Sequence, residues 1–184
     1  MIRSFLSALL FFAGTALAGP LTTENVENFL AAAETLDKMA KDNPDFDIDI
    51  GSDDPTEVME NMISEDGQFR LFDVITNKLR ADPEVNNEFL GVIRENGFAD
   101  AQEFATIGDH IALTTMALSM GSDDLQQFQQ LANMPAAQLQ MIPPEMRTMI
   151  DRAQKLSRVV SGVPEQDKDT LRPYLDRLMA MSGN

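Results

Sequence analysis

The chain has 184 residues, with 30 acidic against 14 basic side chains, a formal net charge of −16, one histidine, and neither cysteine nor tryptophan. So acidic a protein is a poor match for nucleic acid or anionic membrane, which are themselves polyanions, and a better one for cations or basic partners. The lack of cysteine excludes thiol nucleophiles, thiolate metal sites and disulfides, and the single histidine leaves little for zinc chemistry.

Residues 1–18 read as a cleavable signal peptide. Arg3 supplies a short positive region, Phe5 to Ala13 an apolar run, and Ala16-Leu17-Ala18 the small residues of a cleavage site before Gly19. The run is shorter than the about 20 apolar residues that span a bilayer, and no later stretch approaches that length, so no integral membrane segment is expected after cleavage. Loss of Arg3 takes the net charge from −16 to −17. The expected product is exported to the periplasm or secreted as a single helical domain over residues 19–184.

The first helix is predicted over residues 23–40, from Val26, Phe29, Leu30, Ala33 and Leu36 at helical spacing, with Thr22 as its cap. The segment 42–66 then carries ten acidic residues and no basic one. Within it Phe46, Ile48 and Ile50 alternate with Asp45, Asp47 and Asp49, the one stretch that does not read as helix. Asp54-Pro55-Thr56-Glu57 opens a short helix that Gly67 breaks. A third helix is predicted over residues 68–81, with Phe69, Phe72, Ile75 and Leu79 inward. Asp82-Pro83 starts a fourth, striped by Val85, Phe89, Val92 and Ile93 and ended by Gly97, after which Phe98 suits the hydrophobic contact of a C-terminal cap.

Asp100 and Glu103 form a capping box for a fifth helix through Met120, striped by Phe104, Ile107, Ile111, Thr115 and Leu118. Gly121-Ser122 opens a sixth helix with Leu125, Phe128 and Leu131, and Pro135 and Pro143-Pro144 isolate a short turn or helix. A long helix is predicted over residues 145–160 and closed by Ser161-Gly162. The last helical region, 165–181, contains Pro173, which cannot donate into a helix interior, so a kink or two short helices are expected there. The fold class that follows is all-α, a compact bundle of seven to nine helices.

Asp45-x-Asp47-x-Asp49 resembles the opening of a calcium loop, where oxygens at alternate positions surround the ion. Asp45, Asp47, Asp49 and Asp53 are the candidate ligands. The match fails further on: Ile50 and Thr56 stand where the loop needs glycine and a bidentate glutamate. A solvated loop is the simpler reading of such a charge run. Asp109-His110 is a candidate carboxylate–histidine pair, but a dyad needs a third partner, and a lone histidine on a helix is more often structural. The pairs Met59/Met62, Met116/Met120 and Met146/Met149 fall at helical spacing. Such pairs suit copper(I) or an adaptable groove, with core packing the default. Arg147, Asp151, Lys155 and Arg158 follow one helix face, an ordinary charged exterior or a dock for acidic chain.

The stretch Val92-Ile93-Arg94-Glu95-Asn96-Gly97-Phe98-Ala99-Asp100, with Glu103-Phe104-Ala105 and Ile107-Gly108-Asp109, resembles a pattern in uncharacterised exported all-helical proteins of Gram-negative bacteria. That resemblance implies structural roles for the Gly97-Phe98 turn, as a helix cap, and for Gly108, as a close helix crossing where a side chain would not fit, and carries no catalytic residue or cofactor. The expectation is a non-enzymatic periplasmic binding or interaction protein that engages a protein, peptide or lipid. The alternative is a low-affinity calcium binder through segment 45–57.

Overall fold

The computed structural model describes residues 19–42, 62–64, 67–121, 126, 127, 130, 133–135, 138 and 143–182. These are mostly helical, and among them no strand forms. The order is α1 (Thr23–Asp42), α2 (Leu71–Leu79), α3 (Pro83–Glu95), α4 (Ala101–Ser119), α5 (Pro144–Ser161), α6 (Glu165–Leu171) and α7 (Leu175–Ser182). A 3-10 turn, Arg172–Tyr174, joins the last two around Pro173, which supplies the expected kink. With α6 and α7 taken as one bent helix, six helices stand among the described residues, against the seven to nine expected of the chain. The helices expected after Asp54 and after Ser122 fall largely outside the described residues.

The local signals act as the sequence indicates. Thr22 accepts the Asn25 N–H at 3.1 Å while its hydroxyl donates to Asn25 Oδ1 at 2.7 Å, which closes the first turn of α1. Asp82 caps α3 through the N–H groups of Glu84 and Val85, with Pro83 in the first turn, where no N–H is needed. Gly97 ends α3 at φ +89°, and Phe98 N–H reaches back to Ile93 O at 3.0 Å as Gly97 N–H reaches Arg94 O at 3.1 Å. That pair of bonds satisfies carbonyls a helix end leaves open, and it turns Phe98 into the core. Asp100 accepts Glu103 N–H at 2.9 Å, and the Glu103 carboxylate accepts Ala99 N–H at 2.7 Å, a capping box shifted outward by one residue.

One element differs from its prediction. The helix expected over 68–81 begins only at Leu71, because Gln68 to Arg70 lie outside it and Phe69 is drawn into a bridge. Ile63 and Phe69 form an antiparallel bridge, Arg70 N–H donates to Met62 O, and Gly67 turns the chain at φ +85°. Gly67 therefore ends no helix against the next; it serves a tight reversal that the hydrophobic spacing of Phe69 and Phe72 masked.

Helix α4 is the axis of the molecule, in contact with α1, α2, α3, α5, α6 and α7. The larger core packs on its first half. Phe104 is the hub, with ring centroids 5.3 Å from Phe29, 6.0 Å from Phe72, 5.6 Å from Phe89 and 5.2 Å from Phe98. Each such pair adds roughly 0.5–1.5 kcal/mol beyond the area it buries. Gly108, one turn on, sits where a Cβ would lie 2.6 Å from Phe72 Cγ and 2.9 Å from Phe29 Cε2. The expected close crossing is thus that of α2 and α1 side chains over α4. A smaller core of Ile63, Leu113, Ala117, Leu156, Val160 and Val163 joins the second half of α4 to α5. Met62, Met116 and Met120 pack against it, so these methionines serve the core. Met59, and the side chains of Met146 and Met149, lie outside what is described.

Candidate functional site

A cleft of about 700 Å³ opens beside the smaller core, whose Phe69, Leu113, Val159 and Val163 line it. Its walls are the reversal before α2, the middle of α4, and the end of α5 with the turn into α6. Phe69, Leu113, Val159 and Val163 give it apolar surface; Arg70, Asp73, Asp109, His110 and Arg158 give it charge and polarity. Its volume lies within the roughly 300–1,000 Å³ of small-molecule sites, and its mixture of apolar wall and few polar groups is theirs as well.

Asp109 and His110, adjacent on α4, do not pair with each other. Asp109 reaches towards α2, where its Oδ1 accepts the Phe72 N–H at 2.6 Å. Helix α2 has no side-chain cap of its own at Arg70, so Asp109 supplies from another helix the acceptor that the first turn lacks. Burial pushes the Asp109 carboxyl up from 3.8 to about 7; the N–H groups of Phe72 and Asp73 oppose this, and the negative charge of Asp73 adds to it.

His110 turns instead towards α6. Its Nε2 lies 2.9 Å from Asp167 Oδ2, and both side chains are buried, at 4% and 2% exposure. Asp167 Oδ1 accepts the backbone N–H of Leu21 at 2.9 Å, so one carboxylate ties the start of α1, the centre of α4 and the first turn of α6 together. A carboxylate only accepts, so Nε2 carries the hydrogen, and in the neutral ring Nδ1 holds the lone pair. Nδ1 is buried and has no hydrogen-bond partner. His110 thus has the orienting carboxylate that the sequence reading lacked, but that carboxylate is Asp167, 57 residues on, not Asp109.

The third member of a nucleophilic constellation does not appear among the described residues. The hydroxyls that line the cleft are held locally: Ser64 Oγ accepts Gln68 N–H at 2.9 Å, and Thr106 Oγ1 donates to Gln102 O at 2.8 Å. The pair can orient an imidazole and hold a polar ligand; it has no hydroxyl placed for His110 to activate. No group of three or more His, Asp or Glu side chains that could hold a metal ion occurs among the described residues. The candidate calcium ligands Asp45, Asp47, Asp49 and Asp53 lie outside them. Among the described residues no helix is long and apolar enough to cross a membrane.

The charged face of α5 divides in two. Lys155 pairs with Asp151 at 3.0 Å, and its stem passes 3.8 Å from where a Cβ on Gly67 would stand. Arg158, one turn on, donates through Nε to Gln154 O and borders the cleft. Asp167 is the residue the sequence reading missed. A signal for it exists: on α6 Asp167 stands one turn before the buried, apolar Leu171, so the acid falls on the face that turns inward. Comparison with protein-family models, curated proteins and solved structures finds no match to this chain.

Proposed function

We propose that the chain is an exported, non-enzymatic binding protein of the periplasm, a bundle of seven to nine helices after signal cleavage, whose ligand is a small amphipathic molecule seated in the cleft between α4 and α5. The observation that carries this reading is the cleft itself: about 700 Å³, lined by apolar Leu113, Val159 and Val163 and by polar Asp109 and His110. Burial of roughly half the surface of a small ligand on such walls contributes a few kcal/mol at about 25 cal/mol per Å². The polar groups then select by orientation rather than by added affinity.

Binding is favoured over catalysis because the imidazole is oriented but faces no free nucleophile among the described residues. The export reading rests on the residues before Gly19. The test is a thermal-shift screen of small amphipathic compounds, followed by methyl NMR of the hits. Compounds that raise the melting temperature and move the methyl signals of Leu113, Val159 and Val163 support the proposal. Hits that stabilise the protein without moving those signals place the ligand elsewhere and defeat it.

A further inference from the structure

Arg70 and Arg158 border the cleft, from the reversal before α2 and from α5, and both are exposed. Lys41, Lys155, Lys168, Arg172 and Arg177 each pair with a carboxylate. Arg70 and Arg158 have no such partner among the described residues, in a chain with 30 acidic side chains to 14 basic ones. The two carboxylates that line the cleft are engaged with α2. Asp109 Oδ1 accepts the Phe72 N–H at 2.6 Å, and Asp73 Oδ2 accepts the Asn77 amide at 3.3 Å. Arg158 is the better placed of the two cations. Its Nε donates to Gln154 O at 3.2 Å, which holds the guanidinium against its own helix. Both terminal nitrogens are left without an acceptor among the described residues. The next residue, Val159, and Val163 just past the helix end belong to the apolar wall, so a cation and an apolar surface lie side by side on one stretch of chain.

We infer that the ligand of this cleft is an amphipathic anion, its carboxylate or phosphate head taken by the Arg158 guanidinium at the rim and its hydrocarbon body laid along Val159, Val163, Leu113 and Phe69. The inference rests on the cleft being a binding site, as proposed above. A guanidinium offers parallel N–H donors to two oxygens of one head group, a geometry that a hydroxyl or an ammonium cannot answer. Arg70 adds a second positive charge at the rim; it acts through its field, and the head need not touch it. The net charge of −16 repels an anion at long range. At about 0.15 M salt that repulsion is screened beyond roughly 8 Å, whereas a head group in contact with the guanidinium is screened far less.

The experiment titrates octanoate, octyl phosphate, octanol and octylamine into the whole protein at about 0.15 M salt, with methyl NMR as the readout. The better of the two anions is expected to move the methyl signals of Leu113, Val159 and Val163 and to bind about fivefold tighter than octanol, the upper worth of an exposed charge pair. Which anion that is distinguishes a carboxylate head from a phosphate. In Arg158→Gln the preference for the anion is lost, while unchanged octanol binding shows that the fold and the apolar wall are intact. If octanol or octylamine binds as tightly as the better anion, or if Arg158→Gln keeps the anion preference, the inference is overturned and the cleft remains a binding site. If none of these compounds perturbs Leu113, Val159 or Val163, the cleft reading fails with it.

Discussion

Asp109→Asn should make the protein more stable, by an amount that depends on pH. The native carboxyl holds its proton to about 7 against 3.8 for the free group, a difference of about three pKa units. At 1.36 kcal/mol per unit the ceiling is about 4 kcal/mol, and because the side chain is partly exposed, solvent screening brings this to about 1–3 kcal/mol. The sign follows from proton counts. Between 3.8 and about 7 the folded state holds a proton that the unfolded state has lost, so stability falls as pH rises through that window and levels above it. Asparagine cannot ionise, and its oxygen still accepts the Phe72 N–H, so the cap survives while the penalty does not. The assay is urea unfolding of both proteins by circular dichroism from about pH 4 to about pH 8. The variant's advantage is expected to be near zero at the acidic end, to grow through the window and to reach its plateau near neutrality. A variant less stable than the parent at the alkaline end, or an advantage that does not change with pH, refutes the reasoning.

Three further outcomes are expected. Gly108→Ala places a methyl 2.6 Å from Phe72 Cγ, and despite alanine's better helix propensity it should cost about 1–3 kcal/mol in urea unfolding. Asp167→Ala leaves the Leu21 N–H and the His110 Nε2–H without their shared acceptor in the interior, a loss of about 3 kcal/mol or more; Asp167→Asn, which keeps one oxygen, should lose less than half of that by the same measure. Gly97→Ala forces a side chain into φ +89° and to within 2.9 Å of Asn28 Nδ2, and a fall of about 1–3 kcal/mol is expected, read as a lower melting temperature.

Much of the fold was legible because its signals are local. Thr22, Asp82 and Asp100 act on N–H groups within a few residues, Gly97 and Phe98 on the turn they close, and Pro173 on its own backbone. Gly108 was legible in kind, as a crossing, but the rings that occupy it come from α1 and α2 and leave no mark near it. The start of α2 was misread because Phe69 and Phe72 keep helical spacing across a bridge to Ile63. The site was the least legible part. Its two decisive contacts, Asp109 with the Phe72 N–H and His110 with Asp167, span 37 and 57 residues. Neighbours in sequence, Asp109 and His110 face different helices, since successive residues on a helix diverge by about 100°. Only the acid at Asp167, one helical turn before Leu171, betrayed that an inward-facing polar partner was needed.

The central claim is that the cleft between α4 and α5 holds a small ligand. Native mass spectrometry of the protein purified from the cells that make it tests it most directly, with Val159→Trp, which adds bulk to the cleft wall, as the paired sample. The account predicts one small molecule retained by the parent and absent from the variant, with the helical circular dichroism of the two unchanged. A parent that carries nothing and gains nothing from a small-molecule library, or a variant that retains the same molecule, contradicts it.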